Sequence, residues 1–186
     1  MVKQTASQTA GPFLRIGLIN GGRQNDLVQE ETAGKRIKIT GVVYDGNDEP
    51  ITDAMVEIWQ ADANGIFDHP SDPLREQADP HFRGFGRSET TKGGVFTFHT
   101  IKPGGRDGNA PYINVHVFAR GMLLHVMTRI YFEDEAANET DPVLGAVEAE
   151  RRPTLIATCE ESDDMPRYRY DIHIQGELET VFFDPA

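Results

Sequence analysis

The stretch Tyr112-Ile113-Asn114-Val115-His116-Val117-Phe118-Ala119-Arg120-Gly121 decides how this chain folds. Successive side chains of an extended backbone point to opposite faces, so Ile113, Val115 and Val117 share one face and Tyr112, Asn114 and His116 the other. An apolar row beside a mixed polar row is the mark of a half-buried strand. Continuing the same parity puts Arg120 on the Asn114 and His116 face, about 13 Å beyond His116 at roughly 3.3 Å per residue. Asn114 and His116 stand at the spacing of a His-x-His metal clamp in which one histidine is missing.

Working outward, short apolar or alternating runs recur from Lys35 onward between clusters of Gly, Pro, Asn and Asp. Strands are expected over 36–44, 54–60, 84–90, 95–100, 112–119, 123–131, 155–159, 168–175 and near 180–183. Asp45-Gly46-Asn47, Ala63-Asn64-Gly65, Lys92-Gly93-Gly94 and Pro103-Gly104-Gly105 supply the turns between them. Many short strands without intervening long helices define an all-β class, a sandwich of mostly antiparallel strands over residues 35–186. One short helix is expected, with Asp141 as N-cap, Pro142 at its first position and an end near Arg151. Residues 1–34 read differently: glycine-rich and then acidic, they suggest an arm that packs on a partner chain.

Composition narrows the function. A net charge of −12 over 186 residues disfavours nucleic acid, whose binding depends on Lys and Arg displacing phosphate counterions. A site for a small anionic substrate in this chain would need its own arginine, and Arg120 is the candidate. No apolar run approaches the roughly 20 residues of a membrane span. The N-terminus lacks the apolar core of a signal peptide and Cys159 is the sole cysteine, so a cytoplasmic location is expected.

Val56-Glu57-Ile58-Trp59-Gln60-Ala61-Asp62-Ala63-Asn64-Gly65 resembles the intradiol ring-cleaving dioxygenases. The likeness continues through Phe82-Arg83-Gly84-Phe85-Gly86-Arg87, through Gly94-Val95-Phe96-Thr97-Phe98-His99-Thr100-Ile101-Lys102-Pro103-Gly104, and through the strand pair from Tyr112 to Phe132. Three further stretches narrow it to the non-catalytic chain of the two-chain members: Ser7-Gln8-Thr9-Ala10-Gly11-Pro12-Phe13, Phe118-Ala119-Arg120-Gly121, and Asp171-Ile172-His173-Ile174-Gln175-Gly176-Glu177 with Thr180-Val181-Phe182-Phe183. Catalytic chains of that family hold a ferric ion with two tyrosines and a His-x-His pair. Matched position by position, the tyrosine slots fall here on Leu74 and Arg106, and the histidine slots on Asn114 and His116. One ligand of four survives, and a lone imidazole beside an arginine does not retain Fe(III). The resemblance therefore implies no metal site in this chain, with Fe(III) held by a partner β chain. It also implies that Thr9, Gly11, Pro12 and Arg120 line that partner's pocket. The substrate is then an aromatic carboxylate cleaved with O2 in a higher α/β assembly.

Plainer readings stand beside these. Arg120 can be a strand-end arginine in a surface ion pair, and Asn114 and His116 can be hydrogen-bonded sheet residues or a weak metal site. Tyr168 and Tyr170 alternate like a cross-strand core pair rather than as phenolate ligands, and His173 points the other way. His69, His81, His99 and His125 lack ligand spacing. The 45–49 run is a turn and not a calcium loop, because Pro50 stands where that loop requires glycine. A self-sufficient dioxygenase, a β-sandwich ligand-binding module and a purely structural subunit are the rival functions.

Overall fold

The expected strand 36–44 is found as β1 (Arg36–Tyr44) in the computed structural model, which describes residues 3–19, 22–90, 93–160 and 165–184. The others are β2 (Met55–Gln60), β3 (Phe85–Glu89), β4 (Val95–Ile101), β5 (Ile113–Phe118), β6 (Val126–Phe132), β7 (Ile156–Glu160), β8 (Arg167–Arg169) and β9 (Ile172–His173). Hydrogen bonding runs along one path, β3-β2-β5-β6-β7-β8-β1-β4, with β9 beside β1. The β6–β7 link is parallel and only two residue pairs long, Tyr131 with Ile156 and Phe132 with Ala157. At that link the path folds into two layers, the sandwich that the alternation predicts.

Alternation decides what fills the space between the layers. Ile37 and Ile39 of β1, Phe96 and Phe98 of β4, Val56 and Ile58 of β2, and Val115 and Val117 of β5 are all buried. A polar tie crosses this apolar core. Gln60 of β2 accepts from the Thr100 hydroxyl at 2.7 Å and donates to the Ile101 carbonyl at 3.0 Å, so its buried amide is satisfied from the opposite layer.

The open side between β3 and β4 is closed by part of the segment expected to form an arm. Gln24 accepts from the Arg87 N–H, Asn25 accepts from the His99 N–H, and Leu27 donates to the His99 carbonyl. Leu27 enters the core. Residues 24–27 thus belong energetically to this chain's own sandwich, because they satisfy edge groups on both layers.

Several local expectations need correction. A second helix, α1 (Pro12–Leu18), stands in the arm, where a leading proline presets the helical φ and the Leu14 N–H bonds the Gly11 carbonyl. The helix capped by Asp141 is α2 (Pro142–Ala146) and stops five residues early. Val147 is extended, and Arg152 binds the carbonyls of Gly145 and Val147 that further helix would have used. The expected strand 168–175 is split into β8 and β9, because the Val42 N–H goes to the Asp171 carboxylate instead of to a ladder carbonyl. Residues 180–183 form no strand. Phe183 makes a single bridge to Met127.

Candidate functional site

The outer face of the layer β3-β2-β5-β6 carries the positions at issue. Asn114 is flanked in register by Trp59 of β2 and Arg129 of β6, and His116 by Glu57 and Met127. Asn114 and His116 are half-buried on the face opposite Val115 and Val117, as alternation requires. The Arg129 guanidinium lies 4.0 Å from the centroid of Tyr112. The Asn114 neighbourhood is therefore aromatic and cationic, a poor setting for a further cation.

Leu74 and Arg106 meet a common partner. The Asp72 carboxylate accepts from the Leu74 N–H at 2.9 Å and takes the Arg106 guanidinium in a two-point pair at 3.0 and 3.2 Å. The Phe67 N–H donates to the same carboxylate. With Arg106 first among the causes, these donors hold the Asp72 carboxyl down from its ordinary 3.8 to about 2. A cleft of about 80 Å³ lies beside this pair, lined by Arg106, Asp107, Phe67 and Tyr112. The Leu74 side chain has no atom that ligates a metal, Arg106 is engaged by Asp72, and Asn114 and His116 are a neutral amide and one imidazole. Ferric iron does not fit that set. Among the described residues, no group of three His, Cys, Asp or Glu side chains is placed to hold a metal.

His116 has a neighbour that spacing did not reveal. Its ring stacks on His125 with centroids 5.0 Å apart, and His125 stacks in turn on Phe118 at 4.9 Å. Burial, then the His125 charge, lowers the His116 pKa. The β5–β6 register pairs Val117 with Val126, so one further step places His125 against Phe118; the hairpin, more than the motif, was the usable signal.

Arg120 is placed differently from the parity extrapolation. β5 ends at Phe118, and Arg120 sits in a turn before Gly121, whose φ of +87° lies in the left-handed region open to glycine. The strand face therefore does not continue to Arg120. Its guanidinium pairs with Asp53 and is 65% exposed. The same turn meets the N-terminal segment, where the Gly121 N–H donates to the Thr9 hydroxyl at 2.8 Å. Thr9, Ala10, Gly11, Phe118 and His125 line a cleft of about 320 Å³ there. Leu123 and Leu124, expected at the start of a strand, belong to the turn instead and are 63% and 70% exposed. Of the expected substrate-facing residues, Thr9, Gly11 and Arg120 converge on this turn. Pro12 opens α1 next to them.

Tyr168 and Tyr170 are buried, and burial pushes both phenols up. Tyr168 donates to Asp134 and Tyr170 to the Arg129 carbonyl, so both are protonated core residues.

A β-sandwich with this sequence pattern and these paired faces is that of the ring-cleaving dioxygenases, and the chain belongs to the intradiol dioxygenase family. The family model described as "Dioxygenase" matches residues 17–111. Within the family the likeness is to one subunit type: the chain is 44% identical to the protocatechuate 3,4-dioxygenase alpha chain of Pseudomonas putida, over 99% of this chain and 98% of that one. It is 32% identical to the protocatechuate 3,4-dioxygenase beta chain of Burkholderia cepacia, over 82% of this chain and 70% of that one. Among solved structures, the dioxygenase domain of a carbohydrate-binding fusion from Streptomyces sp. SirexAA-E matches with a TM-score of 0.66 at 26% identity. That match covers 82% of this chain and 87% of the other.

Proposed function

We propose that this chain is the α-type subunit of a two-chain dioxygenase that opens protocatechuate between its two hydroxylated carbons, in the cytoplasm. Both atoms of O2 enter the product, 3-carboxy-cis,cis-muconate. The ferric ion belongs to the β chain, where it supplies the Lewis-acid and electron-transfer chemistry of oxygen insertion. This chain's own part is to bind and orient. Arg120 takes the ring carboxylate through its planar fork, while Thr9, Gly11 and Pro12 wall the pocket.

The observation that carries the proposal is the convergence of two distant segments on one turn. Thr9 and Gly121, 112 residues apart, are joined by a hydrogen bond beside an exposed guanidinium. Exposed Leu14, Leu123 and Leu124 line the cleft at the same turn and supply apolar area for the β chain to cover. An entering carboxylate would displace Asp53 from Arg120, an exchange of one anion for another that costs little at an exposed position.

The Asp53–Arg120 pair favours a second reading, in which Arg120 serves only the turn and the subunit is structural. Arg120→Ala in the assembled α/β complex separates the two. Loss of one charge-assisted carboxylate contact is worth about 1.5 to 3 kcal/mol, so KM for protocatechuate should rise more than tenfold with iron content unchanged. An unaltered KM would leave only the structural role.

A further inference from the structure

Arginines also gather at the other end of the same layer. The segment that closes the sandwich passes beside β3 and leaves a cavity of about 460 Å³ lined by Arg23, Asp26, Arg83, Phe85 and Arg87. That volume is in the range of small-molecule sites, about 300 to 1,000 Å³. Three guanidinium groups in one cavity stand out in a chain of net charge −12.

Their pairing differs. Arg87 is neutralised by Glu57 and lies 4.8 Å from the centroid of Phe85, forming a cation–π plate. Arg23 is 90% exposed and reaches Asp26 only at 3.9 Å, a separation at which an exposed pair contributes little. Arg83 is exposed and has no hydrogen-bond or ion-pair partner among the described residues. Phe85 is 41% exposed, with Arg87 over its ring and Trp59 tilted against it at 6.4 Å, so part of the ring still faces the cavity. The floor beneath is fixed: a Cβ on Gly86 would stand 2.5 Å from Leu27 and 3.0 Å from the Gln24 carbonyl, so strand and closing segment are in direct contact.

We propose that this cavity binds a planar aromatic dicarboxylate, the ring stacked on Phe85 and the carboxylates held by Arg83 and Arg23. An aromatic surface bordered by Arg83, which has no partner among the described residues, and by Arg23, held only loosely by Asp26, matches a flat dianion better than a compact one such as phosphate. Neither Arg120 nor the Thr9 cleft takes part.

Isothermal titration of benzene-1,3-dicarboxylate into the α/β assembly tests this site. One class of sites per chain should be lost, or weakened at least tenfold, in Arg83→Ala, with the circular dichroism spectrum unchanged. Phe85→Leu, which keeps the bulk and removes the ring, should weaken the same class, and cyclohexane-1,3-dicarboxylate should bind it at least tenfold more weakly. Equal binding by Arg83→Ala and the parent would overturn the proposal. So would equal affinity for the saturated diacid, which would reduce the site to charge alone.

Discussion

Single residues separate what this chain keeps from what it lacks. At Arg106 the guanidinium is held by Asp72, which also takes two main-chain N–H groups, so one carboxylate ties together loops 34 residues apart. The pKa of Asp72 is lowered on folding, which means that the folded state holds the proton less tightly than the unfolded chain. Its contribution to stability is therefore full above the ordinary carboxylate range and lost as pH falls through about 2. Asp72→Asn should be less stable than the parent at neutral pH, and the difference should shrink as urea unfolding is repeated at lower pH. Asn114 and His116 were legible at this scale from alternation alone. The Asp72–Arg106 pair was not, because both residues lie in loops where no periodicity constrains partners. Arg120 was misplaced for a related reason: its orientation depends on where Gly121 ends the strand, and a parity count does not register that.

At the scale of elements, the strands were readable wherever apolar alternation met glycine-rich turns, as in β1 and β4. They failed where a side chain replaced a ladder group, as Asp171 does between β8 and β9. The close approach of Gly41 in β1 to that same break is decisive. A Cβ there would stand 1.7 Å from the Tyr170 carbonyl oxygen. Gly41→Ala must push β1 away from the β8–β9 junction and should cost about 3 kcal/mol or more, measured by urea denaturation. Gly145 in α2 has nothing within 4 Å of its Cβ position, so Gly145→Ala should be neutral or stabilising by about 0.5 to 1 kcal/mol. The contrast distinguishes backbone contact from general intolerance of substitution. Helix α1 escaped the sequence reading because seven residues with a polar context give too little periodicity to register.

For the whole molecule, the fold is that of the intradiol dioxygenases, and the proposed role keeps it as a scaffold and as a donor of binding groups. Its likeness to both alpha and beta chains of protocatechuate 3,4-dioxygenase fits two subunits built on one sandwich. Exposed Leu14, Leu123 and Leu124 line the cleft at the turn that carries Arg120, where the proposed β chain would complete the pocket. No helix among the described residues is long and apolar enough to cross a membrane. Closed symmetry is the ordinary outcome when sites are shared between chains. The division of labour is tested most directly by counting iron. The chain, co-purified with its β chain and analysed by metal quantification, should hold one iron per α/β pair; two per pair would contradict the claim that the metal belongs to the partner alone.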